Sequence, residues 1–328
     1  MKGYKALSQD MRAFMGNNMQ FELGKTYSVD GEVVLCQNGF HFCERIEFLN
    51  CYYDIADSRI FEVEASGVIC KKKHKYAAEK IRLTRELGKE EIREYFEKNQ
   101  QSLICSEERD VRIAVAEQGF CLDKLIGDVD RDVRRAVARE NYGLDILVHD
   151  EDSSVRATVA EQGYGLDILI HDKAGYVRRA VARENHGLDV LVHDEDSSVR
   201  ATVAKQGYGL NILVSDEDLE VRYAVAEQGY GLNILVSDED WEVRYAVAEQ
   251  GYGLNILVND VYWCVREMVA KQGYGLGLLV SDENNAVRRA VAEQGYGLDI
   301  LVNDVSWYVR RAAEQQNSRT GLWVECSC

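Results

Sequence analysis

The dipeptide Val-Arg stands at positions 111, 133, 155, 177, 199, 221, 243, 265, 287 and 309, so one 22-residue module is written ten times in register. A fixed period of this length is the signature of stacked supersecondary units. A single module cannot shield its own apolar stripe, whereas consecutive copies piled together share one continuous core. The period also excludes paired full helices of the HEAT type, which need roughly 40 residues per unit.

Each module can be read residue by residue. An Asp at 128, 150, 172, 194, 216, 238, 260, 282 and 304 precedes an apolar pattern with helical spacing. After Asp216 come Leu219, Val221, Ala224, Val225 and Ala226. Asp216 is therefore expected to cap the helix, with Glu217, Asp218 and Glu220 adding negative charge where the dipole favours it. The stop positions are Gly119, Asn141, Gly163, Asn185, Gly207, Gly229, Gly251, Gly273 and Gly295. Gly and Asn are the residues that best tolerate the left-handed backbone ending a helix. A short apolar piece such as Leu232, Ile234, Leu235 and Val236 then leads to the next Asp. The module thus predicts a helix of about three turns and a shorter helical segment or 3₁₀ turn. Copies 133–154 and 177–198 are nearly identical, which points to duplication of a 44-residue block. EEIREYFEKNQQSLIC is expected to seal one end of the stack as an amphipathic helix, and the degenerate last copy to cap the other.

With Asp238, Trp241, Val243, Arg244, Val247, Ala248, Leu254 and Leu257 in these places, the region 103–324 resembles the leucine-rich repeat variant family. The resemblance implies a right-handed superhelix in which α-helices alternate with 3₁₀ helices. The family's turn prolines are replaced here by Gly-Tyr-Gly, which favours a short α-helix as the second element. The iron–sulfur cluster that some members carry has no matching cysteine group, so no cofactor is expected. The fold expected is mostly α: a right-handed α-solenoid of ten repeats over 111–328, a capping helix over 89–110, and a small α+β domain over 1–88.

The Arg in every copy invites two readings. As a structural ladder, represented by Asp216, Arg222, Asp238 and Arg244, it bonds Asp side chains or loop carbonyls of neighbouring units; as a basic row, it binds phosphate. The turn aromatics, among them Phe120, Tyr142, Tyr230 and Tyr296, are expected to stack along one edge, with His186 replacing one of them. Positions that vary between copies are those the shape does not dictate. They include Tyr223, Tyr245, Arg135, Arg179, Arg289 and Arg311 after the repeated Arg, and Trp241, Trp263 and Trp307 at the helix starts. Tyr, Trp and Arg are the usual anchors of protein interfaces, so these nine are the candidate partner surface. The competing reading has the tryptophans filling gaps between units. On the surface reading, Tyr223→Ala and Tyr245→Ala leave the melting temperature almost unchanged.

Residues 1–88 have another texture. KTYSVDGEVVLC and RIFEVEASGVI alternate like strands, and AAEKIRLTREL closes the domain as a strand or a helix. Tyr4-Lys5, Gly24-Lys25-Thr26-Tyr27, Leu35-Cys36, Gly39-Phe40-His41, Cys43 and Phe61-Glu62-Val63 resemble an uncharacterised domain common in bacteria and their phages, which brings no activity with it. Cys36, His41, Cys43 and Cys51 have zinc-ligand chemistry, but C-x6-C and H-x-C are not common closed spacings. Cysteines are also frequent buried apolar residues, and no metal is expected. An enzyme reading uses His41 with Glu62 or Glu64, as in a transferase. Cys326-Ser327-Cys328 is similar to a prenylated ending, although a frayed tail explains it as well.

Charge bears on partners. Residues 1–100 hold 16 Lys+Arg and 16 Asp+Glu, so the remainder, with 39−16 = 23 basic and 56−16 = 40 acidic residues, carries the whole −17. Such acidity repels nucleic acid at long range. No run of 18 apolar residues suggests a membrane span, and nine cysteines without a pairing pattern fit a reducing, cytoplasmic setting. The absence of proline has no functional reading. The function expected is a non-enzymatic interaction protein with an unidentified protein partner. The alternatives are nucleic-acid binding through Arg135, Arg179, Arg289 and Arg311, acidic mimicry of nucleic acid, and an enzyme centred on His41.

Overall fold

The computed structural model describes residues 1–14, 19–53, 55 and 57–320, so the Cys326 and Cys328 ending lies outside the described residues. It divides into two compact units, Met1–Gly165 and Leu166–Cys328. No helix among the described residues is long and apolar enough to cross a membrane.

The first unit begins with five antiparallel strands: β1 (Lys2–Leu7), β2 (Thr26–Ser28), β3 (Phe40–Cys43), β4 (Arg59–Lys72) and β5 (Lys75–Leu87). Their order is β2-β5-β3-β1-β4, and β4 also pairs with β5, so β1, β3, β5 and β4 close a circuit. Closure is possible because the long β4–β5 hairpin carries register shifts at Glu62/Val63 and Ser66/Ile69, and bulges bend strands. Alternate residues face inward: Leu7, Phe40, Phe42, Phe61, Val63, Tyr76, Ile81 and Leu83 form the core. β1 and β3 cross closely enough that a Cβ on Gly3 would stand 2.5 Å from the Cys43 carbonyl oxygen and from the Phe42 ring.

AAEKIRLTREL takes the strand form, one of the two expected, and its buried Ile81 and Leu83 alternate with outward charges. Of KTYSVDGEVVLC only Thr26–Ser28 is strand, since Gly31 turns the chain at φ 88°. Among the described residues before 88 the only helical piece is a 3₁₀ turn, Ile46–Leu49, so "α+β" overstates the helix content of that part.

The unit does not end at residue 88. Helix α1 (Lys89–Leu103) and helix α2 (Arg109–Glu117) follow. The Asn50 amide donates to the Glu117 carboxylate at 3.1 Å, and His74 lies 3.4 Å from Glu108 while stacking on Phe48 at 3.7 Å. The composition shift at 88 marks the start of a helix, but the sheet packs onto the first repeat helix beyond it.

Within both units the modules alternate long and single-turn helices. Each long helix from Arg109–Glu117 to Asn285–Glu293 has nine residues, which is two and a half turns. In Leu219–Glu227, Val221, Ala224, Val225 and Ala226 form the buried stripe. The helix stops where Gly229 takes φ 69°; its N–H donates to Ala226 O and that of Tyr230 to Val225 O, a Schellman closure. Asn141 and Asn185 fill the same place at φ 56°. The second element is one α-turn, as in Leu232–Leu235.

The capping assignment is also corrected. Helix Leu219–Glu227 is capped by Asp218, whose side chain accepts the Glu220 N–H, and Asp130, Asp152 and Asp196 act alike. Asp216 stands two residues earlier and accepts the Asp218 N–H at 3.0 Å. It organises the loop before the helix and leaves its two oxygens to an arginine.

Candidate functional site

That arginine belongs to the preceding module. Arg200 Nε and Nη2 donate to Asp216 at 2.7 and 2.8 Å, and Nη1 reaches the carbonyls of Asp194 and Glu195. Arg222 grips Asp238 at 2.7 and 3.0 Å, and Arg244 grips Asp260 at 2.6 and 3.0 Å. Arg112–Asp128, Arg134–Asp150, Arg178–Asp194, Arg266–Asp282 and Arg288–Asp304 repeat the fork. Both side chains of the Arg222–Asp238 pair are about nine-tenths buried. These guanidiniums bind consecutive modules together and are not presented to phosphate.

The ladder gives the stack a defined acid limit. Burial opposes ionisation of Asp216, but the Arg200 fork and the Asp218 N–H hold its carboxyl below the ordinary value. The Arg288 fork does the same for Asp304 against a smaller burial cost. Asp152, bonded by the Ser154 hydroxyl and N–H and by Arg131, is held at about 2. A carboxyl whose folded value lies below its unfolded value of about 3.9 stabilises the fold above that pH and loses this as pH falls through the folded value. The unfolding midpoint in urea is expected to vary little from pH 8 to 5 and to fall steeply below about pH 4; a midpoint unchanged at pH 3 would contradict the ladder.

The candidate partner residues do not form one free surface. Tyr223 and Tyr245 are half-buried, and burial raises both phenols. Half-burial gives each ring a share in the packing as well as in the surface. Trp241 is half-buried and stacks on the exposed Tyr262 ring at 5.9 Å, while Trp263 and Trp307 are 45% and 48% exposed. Arg135 pairs with Asp132, and Arg289 with Glu267 and Glu293. Arg311 lies over the Trp307 ring, and the Nε of Arg179 is buried. The turn tyrosines stand apart, with no ring stacked on the next among the described residues.

A row that sequence reasoning missed lies on the single-turn helices. In the second unit, Ile168, Val190, Ile212, Ile234, Ile256, Leu278 and Ile300 occupy one register position and are all 47% exposed or more; Ile146 holds it in the first unit. Beside them stand exposed Asp145, Asp167, Asp189 and Asp299. The available signal was the recurrence of an aliphatic residue at a position the core does not use.

In the sheet domain the four proposed metal ligands do not converge. Cys36 is exposed and donates its N–H to His41 Nε2 at 2.8 Å. Cys43 is buried with its thiol pushed up to about 12, and Cys51 is raised to about 11, both chiefly by burial. No group of three or more His, Cys, Asp or Glu among the described residues is placed to hold a metal ion. Nor does His41 meet the carboxylates of the enzyme reading. It lines a cavity with Lys5 and Lys75, whereas Glu62 and Glu64 line another depression with Arg85.

Residues 1–117 match the family model described as a domain of unknown function, DUF7666. The match runs through helix α2, which carries the Glu117 contact to Asn50 and the Glu108 contact to His74 at its start. No curated protein matches the chain. Among solved structures, a designed armadillo repeat protein in complex with the peptide (KR)4 is similar at 17% identity over 70% of this chain and 92% of that chain, with a TM-score of 0.12.

Proposed function

We propose that the chain is a non-enzymatic, cytoplasmic interaction protein, built from ten units of the right-handed leucine-rich repeat variant kind. Its repeats offer a protein partner a row of apolar side chains set in acid. The observation that carries this reading is the exposed aliphatic row from Ile168 to Ile300. About half or more of each side chain faces solvent, and recurrent apolar exposure of this kind marks interaction sites. Exposed Asp167, Asp189 and Asp299 beside the row favour a partner with basic residues around an apolar strip. Trp263 and Trp307 at the helix starts are further anchors. Nucleic acid is disfavoured because Arg135 and Arg289 are already engaged by carboxylates.

The test uses the full chain carrying Ile212→Asp, Ile234→Asp and Ile256→Asp together. Because the three side chains are exposed, each change is expected to alter stability by no more than about 0.5 kcal/mol. A partner captured from extract of the producing cells by the wild type is expected to be lost by the triple variant. A partner held equally by both proteins would move the interface elsewhere, and Trp263→Ala with Trp307→Ala would then locate it.

A further inference from the structure

We infer that the cavity in the sheet domain, bounded by Lys5, Lys75, His41 and Asn38 with the Phe21 and Phe40 rings, binds a small organic anion: one phosphate or carboxylate group on a flat apolar body. The inference concerns a different part of the chain from the repeat surface and does not depend on it.

The cavity holds about 190 Å³. Lys5 lies on β1 with the inward parity of Leu7 and is 5% exposed. Its ammonium donates to the His41 carbonyl oxygen at 2.8 Å and sits 5.3 Å from the Phe21 ring centroid. An ammonium has three donors, and no carboxylate meets it among the described residues. Lys75 on β5 is 9% exposed and lies over the rings of Tyr52 and Tyr53 at 4.7 and 5.8 Å, again with no carboxylate among the described residues.

Buried cations without a counter-ion are costly and rare. Elsewhere this chain pairs its buried arginines with aspartates, and acids outnumber bases 56 to 39, yet no described residue lining this cavity is Asp or Glu. Among the described residues the two ammoniums have no carboxylate, and an anionic ligand would supply the charge that answers them.

The surrounding groups fit the same ligand. His41 Nε2 accepts the Cys36 N–H, which leaves Nδ1 as the protonated nitrogen, a neutral donor. Burial, Lys75 and Lys5 together hold its value down to about 4. Burial and the Lys75 charge bring Lys5 to about 8, so it still carries its proton near neutrality. The phenylalanine rings provide flat apolar walls, while the Asn38 amide at the rim spends its N–H donors on the Asp30 and Glu32 carbonyls and so shapes the loop rather than meeting the anion. A few convergent polar groups in an apolar cavity are the general form of a small-molecule site. The Tyr4-Lys5 and Gly39-Phe40-His41 motifs, distant in sequence, meet here because β1 and β5 both pair with β3.

The experiment titrates the full-length protein calorimetrically with phenyl phosphate and with benzoate, and with uncharged benzyl alcohol as control. One or both anions are expected to bind saturably and raise the melting temperature, and the tighter of the two identifies the head group. Lys5→Met and Lys75→Met are each expected to weaken binding by at least about tenfold. Lys5→Met is also expected to melt no lower than the wild type, because it removes an uncompensated buried charge. The proposal is overturned if neither anion binds, if benzyl alcohol binds as tightly, or if both lysine variants bind like the wild type. A lower melting temperature for Lys5→Met with binding retained assigns the lysine to structure alone and overturns it too.

Discussion

Replacing Arg222 by methionine is expected to lower the unfolding free energy by about 3–5 kcal/mol, read from urea denaturation at pH 7. The figure rests on what stays behind. Arg222 donates two bonds to Asp238, a third to Asp240, and one each to the carbonyls of Asp216 and Glu217. Removing it leaves the nine-tenths buried Asp238 carboxylate without its counter-ion. Removing both charges is far milder, so Arg222→Met with Asp238→Leu is expected to recover most of the loss. Arg310 supplies the control inside the same molecule. It reaches the carbonyls of Asp304 and Val305, and no aspartate among the described residues forks with it. Arg310→Met is expected to cost about 1 kcal/mol, the worth of ordinary hydrogen bonds. Equal losses at 222 and 310 would show that the fork contributes nothing beyond its carbonyl contacts. Because each module touches only its neighbours, amide exchange should quicken around 216–240 first.

The sequence makes the period, the helix stops and the strand character of the amino-terminal part legible, because each is written locally. Gly or Asn at the stop reports a left-handed backbone whatever surrounds it, and the alternation in RIFEVE reports one buried face. What was misread depends on contacts across modules. Asp216 and Asp218 have the same capping chemistry in one dimension, and only Arg200 tells them apart. In LNIL, four apolar or polar letters are too few to fix which side of one helical turn is covered, so buried Leu235 and exposed Ile234 looked alike. Tyr223 stood at a variable position, yet variation between copies says that a site is adaptable and not that it is bare. The cavity was hidden for a further reason. A lysine in an alternating strand normally marks the wet face, and Lys5 sits on the dry one.

The second glycine of each Gly-Tyr-Gly turn shows how one missing contact changes the reading, and it carries the other large effect: Gly231→Ala is expected to cost about 2–4 kcal/mol. Two terms combine. Gly231 has φ 61°, a conformation that costs an alanine about 1–2 kcal/mol. A Cβ built there would also lie 2.4 Å from Cγ2 of Val214, in the preceding module, which cannot swing away because Val214 is itself buried. The first glycine is different. Gly229 has φ 69°, but its Cβ would meet only Gln250 Oε1 at 3.8 Å. Gly229→Asn is therefore expected to be nearly neutral, as Asn141 and Asn185 at this position suggest. The second position departs from glycine once, at Cys121 with φ 53°, where helix α1 stands behind the turn and Gln100 Oε1 lies 2.9 Å from the thiol. Backbone conformation alone therefore does not demand glycine at Gly231; the valine of the previous module does. Combining Gly231→Ala with Val214→Ala should cost about 1 kcal/mol less than the sum of the two single changes. Strict additivity in that cycle would mean that the modules do not press on each other at this turn.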